Sequence, residues 1–231
     1  IRDRTSVQDK ATRRGAAPKK APGSMISFEP TKTIDPTNKA LGIEAWVKMT
    51  AKDGVIAAHG GPRDGYALVV RQGKPRFLYR ASDKLFDAVA TERMGNDWVH
   101  LAGQITVDRK LQLFVNGKLA AEAEAESLIP KTPVQSLQIA GDAISNVGEY
   151  KSPLPLKGLV DEVMIFHGTL SAEEIANRFA NGPTAPIANA TAVVVCNFDD
   201  GNANDRSGLG NHGTMAGGIP ADGKFGGGMR F

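Results

Sequence analysis

Cysteine is almost absent from this chain of 231 residues, and the single cysteine, Cys196, excludes an internal disulfide. Cys196 lies in the apolar run 193–196, so we interpret it as a small buried hydrophobic residue rather than a nucleophile. Aromatic residues make up only 6% of the chain, and no apolar run approaches the length of a transmembrane helix. Glycine, by contrast, occurs 26 times, which suits many short strands joined by tight turns. The length fits one large all-β domain, or a domain with an appendage.

A strong charge of either sign is also lacking, because the formal net charge of +3 comes from one end of the chain. Residues 1–24 hold seven basic side chains against Asp3 and Asp9, a balance of +5, which leaves −2 for residues 25–231. A basic pI produced by one tail is poor support for a nucleic-acid-binding face, so we expect no nucleic-acid partner. We interpret residues 1–24 as a basic arm rich in proline and alanine that lies on another surface of the molecule or on a partner.

Residues 98–118 are predicted to form a β-hairpin around which the rest of the chain is organised. Apolar residues recur with a period of two through 98–107 and again through 111–115, and the polar residues 108–110 connect the two strands. Asn116 and Gly117 form a turn signal, because both tolerate positive φ. Such a hairpin is expected to bury one face only, so it needs a second sheet to cover that face.

Three segments of the chain resemble, in the expected order, motifs of laminin-G-like, concanavalin A-like jelly-roll domains. The hairpin carries a tryptophan, a histidine two residues on and the string LQLFVNGK, as in the central hairpin of that family. Upstream lies GIEAWVK at 42–48, and downstream lies GLVDEVMIF at 158–166, followed by LSAEEI at 170–175. The resemblance implies an all-β jelly-roll sandwich of two antiparallel sheets with one short helix near 171–180. Ser171 is a natural N-cap for that helix.

The resemblance also divides the chain into an arm (1–24), a laminin-G-like jelly roll (25–182), a linker (183–190) and a C-terminal segment (191–231). The C-terminal segment contains NFDD, DRSGLGNHG and GKFGGGMRF, which resemble the strands that normally open a domain of this family. We predict that residues 191–231 fold back and complete the sandwich within the same chain, as in a circular permutation. The alternative is a tandem array in which this segment begins a second domain.

No catalytic residues are predicted. Related glucanases carry the string E-x-D-x-x-E on one strand, which places two carboxylates on one face, and that string is absent here. The carboxylates within 122–126 alternate with alanine in a polar linker, and we interpret them as a solvated edge. The four histidines lack the spacing of zinc ligands, and His100 is expected to be a structural hydrogen-bonding group.

Calcium is the one metal that the chain suggests. The loop 199–205 is dense in oxygen-bearing side chains but does not match an EF-hand loop. Many members of the family that the chain resembles hold a structural calcium ion through aspartates near a sheet edge. By that analogy Asp161 and Asp199 are the predicted metal ligands.

The function that the resemblance implies is non-catalytic recognition, or an accessory role, in an exported protein at an extracellular, cell-surface or periplasmic location. The partner is a glycan or a protein, and the ligand-binding residues are not identified. Both tryptophans lie in alternating strands, so aromatic platforms for sugars are scarce, which favours a protein contact. The alternatives are a structural module that packs on a catalytic domain or subunit, and, with less support, a glycoside hydrolase. Because the chain begins with isoleucine and shows no signal peptide, we interpret it as a mature product or a piece of a larger polypeptide.

Overall fold

The computed structural model describes residues 24–231, so the contacts predicted for the basic arm lie outside the described residues. The described part is an antiparallel β-sandwich with one short helix, which confirms the predicted fold class. Its elements in chain order are β1 (Met25–Phe28), β2 (Leu41–Met49), β3 (Gly54–Gly60), β4 (Gly65–Arg71), β5 (Lys74–Ala81), β6 (Lys84–Val89), β7 (Val99–Ile105), β8 (Lys110–Val115), β9 (Lys118–Glu124), β10 (Gln138–Ile139), β11 (Gly158–Gly168), α1 (Ala172–Asn181), β12 (Ala190–Cys196), β13 (Gly213–Ala216), β14 (Ile219–Asp222) and β15 (Gly227–Arg230).

The two sheets draw strands from distant parts of the chain. The seven-stranded sheet has the order β13-β1-β10-β3-β4-β5-β6, and the eight-stranded sheet has the order β14-β15-β11-β2-β7-β8-β9, with β12 also paired to β11. The core between the sheets is built from the inward-facing side chains of both, among them Ile43, Phe77 and Leu101, none of which is exposed. Gly103 also faces this core. A side chain there would collide with the Phe77 ring, so this position requires glycine.

The predicted hairpin is present as β7 and β8, but the expectation that it buries one face only is wrong. Every residue of β7 is buried. Leu101 and Ile105 face the inter-sheet core, while Ala102 and Phe114 on the opposite face pack under the helix, against Ile175. Val107 lies beyond the end of β7 and is 76% exposed. Helix α1 therefore covers a surface that the alternation alone would leave to solvent.

Helix α1 begins at a complete capping box, as the sequence predicts. The Ser171 hydroxyl accepts a hydrogen bond from the Glu174 amide at 3.1 Å, and the Glu174 carboxylate accepts one from the Ser171 amide at 2.7 Å. The helix ends at Gly182, whose φ of 95° favours glycine. Both ends are thus set locally, whereas the position of the helix on the sheet is set by packing.

The carboxylates within 122–126 do not lie in a linker. Residues 118–124 form β9, the edge strand of the eight-stranded sheet, and Glu122 accepts a hydrogen bond from the Gln112 amide group at 2.9 Å. The alternation of alanine and glutamate is the pattern of a strand with one solvated face. A charged edge of this kind also discourages pairing with another chain.

Residues 190–230 contribute strands to both sheets of the same chain. Strand β12 pairs with β11 over Val163–Gly168, and β15 pairs with β11 at Leu159 and Val160. Strand β13 pairs with β1 in the opposite sheet. The preceding segment 183–189 lies against helix α1, because Arg178 donates to the carbonyls of Pro183 and Ala185 at 2.7 and 2.9 Å. The permuted origin of this arrangement stays a prediction.

Candidate binding cleft

A cleft of about 430 Å³ opens at the end of the sandwich where β3 turns into β4. Three segments that are far apart in sequence form its walls: the β3–β4 turn, the segment 131–135, and residues 144–145. Its volume is within the range of ligand-binding clefts. The lining residues are Gly61, Pro62, Arg63, Asp64, Lys131, Thr132, Pro133, Val134, Gln135, Ile144 and Ser145.

The β3–β4 turn is rigid for local reasons. The Gly61 amide donates to the Asp64 carbonyl at 3.0 Å, and Gly60 adopts a φ of 96°, a conformation that favours glycine. The Asp64 carboxylate accepts the Ser82 amide at 2.9 Å, which ties the turn to the loop between β5 and β6. The glycines of this turn therefore shape the hairpin that joins β3 to β4.

Asp142 is the hub that holds the opposite wall. Its side chain is fully buried and accepts hydrogen bonds from the Gln135 amide group at 2.8 Å, the Val147 amide at 3.1 Å and the Tyr150 hydroxyl at 2.6 Å. Burial raises the pKa of Asp142 above its usual value, and the three hydrogen bonds act in the opposite direction. The hub fixes the loop 141–150 although this loop has little regular secondary structure.

Gln135 joins the two walls that Asp142 supports. Its side-chain carbonyl accepts hydrogen bonds from the amide and the hydroxyl of Ser145, at 2.9 and 2.5 Å. Its amide group is the one that donates to Asp142. The cleft is therefore preformed, because both walls are cross-linked by satisfied polar groups.

The surface of the cleft combines exposed apolar side chains with cations. Val134 and Ile144 are 102% and 80% exposed, and they are among the few large apolar side chains of residues 24–231 that face solvent. Arg63 and Lys131 are exposed as well, and neither forms an ion pair with a carboxylate of the described chain. Asp64 is the one carboxylate among the lining residues, and it is turned to the Ser82 amide.

A second cleft, of about 630 Å³, lies at the opposite end of the sandwich, where Leu119 and Phe179 meet the segment 91–95. The segment 91–97 is held by a backbone hydrogen bond of 2.8 Å from Met94 to Gly73 and by an exposed ion pair between Lys48 and Asp97. Among the described residues this wall has no buried side-chain hub comparable to Asp142. It is therefore the less preorganised of the two clefts.

The predicted calcium ligands Asp161 and Asp199 lie close together, but their oxygens are already engaged. Asp161 accepts the amides of Lys224, Phe225 and Glu162 at 2.8, 2.9 and 2.7 Å. One Asp199 oxygen accepts the Gly227 amide at 2.8 Å. Within residues 24–231 no group of three or more histidine, cysteine, aspartate or glutamate side chains is placed to hold a metal ion. Calcium binding by Asp161 and Asp199 therefore stays a prediction.

Glu162, which no sequence motif marks as a site residue, is the neighbour of this aspartate pair. Burial, and then the charges of Asp161 and Asp199, raise the pKa of Glu162 to about 8. Burial likewise raises the pKa of Asp161 to about 6. These carboxyl groups are not among the residues that line either cleft.

A second buried network, also missed from the sequence, fixes helix α1 on the eight-stranded sheet. Glu44 accepts hydrogen bonds from His100 Nε2 and from Arg178 Nε, each at 2.7 Å, and all three residues are at most 4% exposed. The predicted structural role of His100 is confirmed.

Trp46 stacks on Phe179 at 5.6 Å and is buried, so it is not available to a sugar. Within residues 24–231 every aromatic side chain is buried or half-buried.

None of the described helices is long and apolar enough to cross a membrane. No curated protein sequence is significantly similar to the chain.

Solved structures share the fold at low sequence identity. A protein of Bacteroides ovatus with a suggested carbohydrate-binding role superposes with a TM-score of 0.61 at 15% identity, over 86% of this chain and 57% of that one. The chain thus spans little more than half of that protein. The CBM40 domain of a Ruminococcus gnavus sialidase, bound to α2,3 sialyllactose, gives 0.52 at 15% identity over 68% and 93% of the two chains. Domain 4 of the arabinanase AbnA from Geobacillus stearothermophilus, with arabinotriose, gives 0.51 at 17% identity over 66% and 80%.

The decisive comparison is with a family profile, because it matches the sequence itself. The laminin-G-like profile described as the concanavalin A-like lectin/glucanases superfamily matches residues 23–176, which contain the three motifs singled out in the sequence. This range holds most of the strands of both sheets and the start of helix α1. The chain belongs to the concanavalin A-like lectin/glucanases superfamily.

Proposed function

We propose that this chain is a non-catalytic recognition module of an exported protein, and that its ligand, a glycan or a protein, occupies the cleft between the β3–β4 turn and residues 131–145. The observation that carries the proposal is the exposure of Val134 and Ile144 on walls that are braced by Asp142. Large apolar side chains that face solvent on a rigid, concave surface are typical of an interaction site.

The solved structures that share the fold also support a recognition function. The R. gnavus and G. stearothermophilus domains that share the fold belong to a sialidase and to an extracellular arabinanase, and both were solved with oligosaccharides. A comparable accessory role, outside the cell or in the periplasm, fits this chain. At such low identity the likeness does not extend to individual ligand-contacting residues.

Glycoside hydrolysis is the less favoured alternative, because the cleft lacks the required pair of acids. Glycosidases of the usual kind use two carboxyl groups on either side of the scissile bond, about 5–10 Å apart. Asp64 is the one carboxylate among the residues that line the cleft, and it accepts a backbone hydrogen bond.

The test is a pair of matched double variants screened against a panel of glycans and peptides. Val134→Asp with Ile144→Asp places two charges on the walls of the proposed site. Leu119→Asp with Ile219→Asp places the same charges on side chains that are 48% and 64% exposed elsewhere, Leu119 being in the second cleft. All four positions are exposed, so both proteins should fold, as the melting temperature will show.

We expect a ligand retained by the wild type to lose at least about tenfold in affinity with the first variant and to be unaffected by the second. Binding that survives the first variant, or that is lost only with the second, contradicts the proposal.

A further inference from the structure

The cations of the cleft carry information about the ligand. Arg63 and Lys131 come from two different walls, both side chains are exposed, and neither is paired with a carboxylate of residues 24–231. Other exposed cations of the described chain, such as Lys157 and Arg230, are also unpaired, but Arg63 and Lys131 are the two that line this cleft beside exposed apolar side chains. Two unpaired cations beside apolar side chains complement a ligand that is both apolar and acidic.

The backbone of one wall is equally informative. Residues 131–134 form no strand, and the amides of Lys131, Thr132 and Val134 donate to no acceptor within the described chain. Lys131, Thr132 and Val134 are exposed. Open backbone groups along an irregular, solvent-facing segment can pair with the main chain of an extended peptide.

A sugar ring would find a poorer surface here. The residues that line the cleft include no aromatic side chain, and the aromatic side chains of residues 24–231 are buried or half-buried. Stacking on a flat exposed ring is therefore not offered, whereas Val134 and Ile144 offer aliphatic contacts.

We infer that the partner of this cleft is a polypeptide segment in which apolar side chains alternate with carboxylates. The apolar side chains pack on Val134 and Ile144, and the carboxylates face Arg63 and Lys131. This inference rests on the proposed function and names the class of partner for the same cleft.

The experiment uses four fluorescein-labelled decapeptides and measures binding to the full chain by fluorescence anisotropy. The peptides alternate leucine with aspartate, leucine with serine, leucine with lysine, and serine with aspartate. Sialyllactose, an acidic ligand without apolar side chains, is titrated into the same proteins separately, and its binding is measured by isothermal titration calorimetry. The protein variants are Arg63→Glu with Lys131→Glu, and a control of equal charge change, Lys157→Glu with Arg230→Glu. The control positions are exposed, lie beside the β2–β11 pairing at the opposite end of the sandwich, and form no ion pair with the described residues.

We expect the leucine–aspartate peptide to bind most tightly and to lose about tenfold in affinity with the first variant but not with the control. Its affinity should also fall as sodium chloride is raised from about 50 to about 500 mM, because the exposed charges are then screened.

Each other outcome overturns the inference. The leucine–lysine or leucine–serine peptide could bind as tightly as the leucine–aspartate peptide. If Val134→Asp with Ile144→Asp still abolishes that binding, the acidic partner is refuted and the proposed function stands. Cleft-dependent binding of sialyllactose, with no binding of any peptide, refutes the polypeptide in favour of a glycan. If no peptide or sugar responds to changes in the cleft, the inference and the proposed function fail together.

Discussion

Replacing Tyr150 by phenylalanine removes one of the hydrogen bonds to Asp142 that hold the cleft wall. The structure predicts that this substitution lowers the free energy of unfolding substantially. The hydroxyl donates to the buried carboxylate of Asp142 at 2.6 Å, a short hydrogen bond to a group that is not exposed. Hydrogen bonds to charged groups contribute about 1.5–3 kcal/mol to stability. The ring itself is retained, so the loss of packing is small.

The matched control is Tyr66→Phe, which removes a hydroxyl from a ring that is also buried. The Tyr66 hydroxyl lies 3.4 Å from His59 Nδ1, and burial lowers the pKa of His59 to about 4, so the imidazole is uncharged at neutral pH. A long hydrogen bond to a neutral group contributes about 0.5 kcal/mol or less. We therefore expect Tyr150→Phe to cost several times more stability than Tyr66→Phe.

The assay is urea unfolding at pH 7, with unchanged slopes required so that the midpoints report stability. For a chain of this size a loss of about 2 kcal/mol corresponds to a fall of about 4–8 °C in melting temperature. Hydrogen exchange should show faster opening of residues 141–150 in Tyr150→Phe alone. Equal effects of the two substitutions would refute the view that Asp142 braces the cleft.

The remaining predictions concern the second network, pH, metal and catalysis. Arg178→Met leaves the Glu44 carboxylate buried without its cation, so we expect a loss of about 3–5 kcal/mol that Glu44→Gln partly restores; additive urea-unfolding losses would refute the coupling. Because His59 is held neutral, its contribution to stability is present above pH 6.5 and is lost as the pH falls towards 4; His59→Gln should weaken the fall in melting temperature over that window, and an unchanged fall contradicts this. If calcium binds at Asp161, a chelator should lower the melting temperature, and no shift with intact spectra removes calcium from the account. We expect no release of reducing sugar from β-glucans; turnover that disappears with Glu44→Gln or with Glu162→Gln would show that a catalytic site exists.

The cleft could not be predicted from the sequence, because none of its walls carries a motif that marks a binding site. The turn at Gly60 follows from a local requirement, because its φ of 96° favours glycine. Asp142 and Tyr150 lie in a long loop with no hydrophobic period, so nothing in the sequence marks them as buried partners. Gln135, the third member of the network, lies in a different segment, on the other side of strand β10, so the spacing along the chain does not connect it to this loop either.

What the sequence determined by itself is everything that depends on neighbours along the chain. The alternation in β7, the turn at Asn116 and the cap at Ser171 each follow from side-chain direction or from a backbone preference within a few residues. The tertiary structure alone decided what covers the outer face of β7. The contact between Glu44 and Arg178 spans 134 residues, and such a pairing depends on which surfaces bury the most apolar area once both sheets exist. For the same reason, the joining of the β3–β4 turn, residues 131–135 and residues 144–145 into one cleft appears only when the sandwich closes.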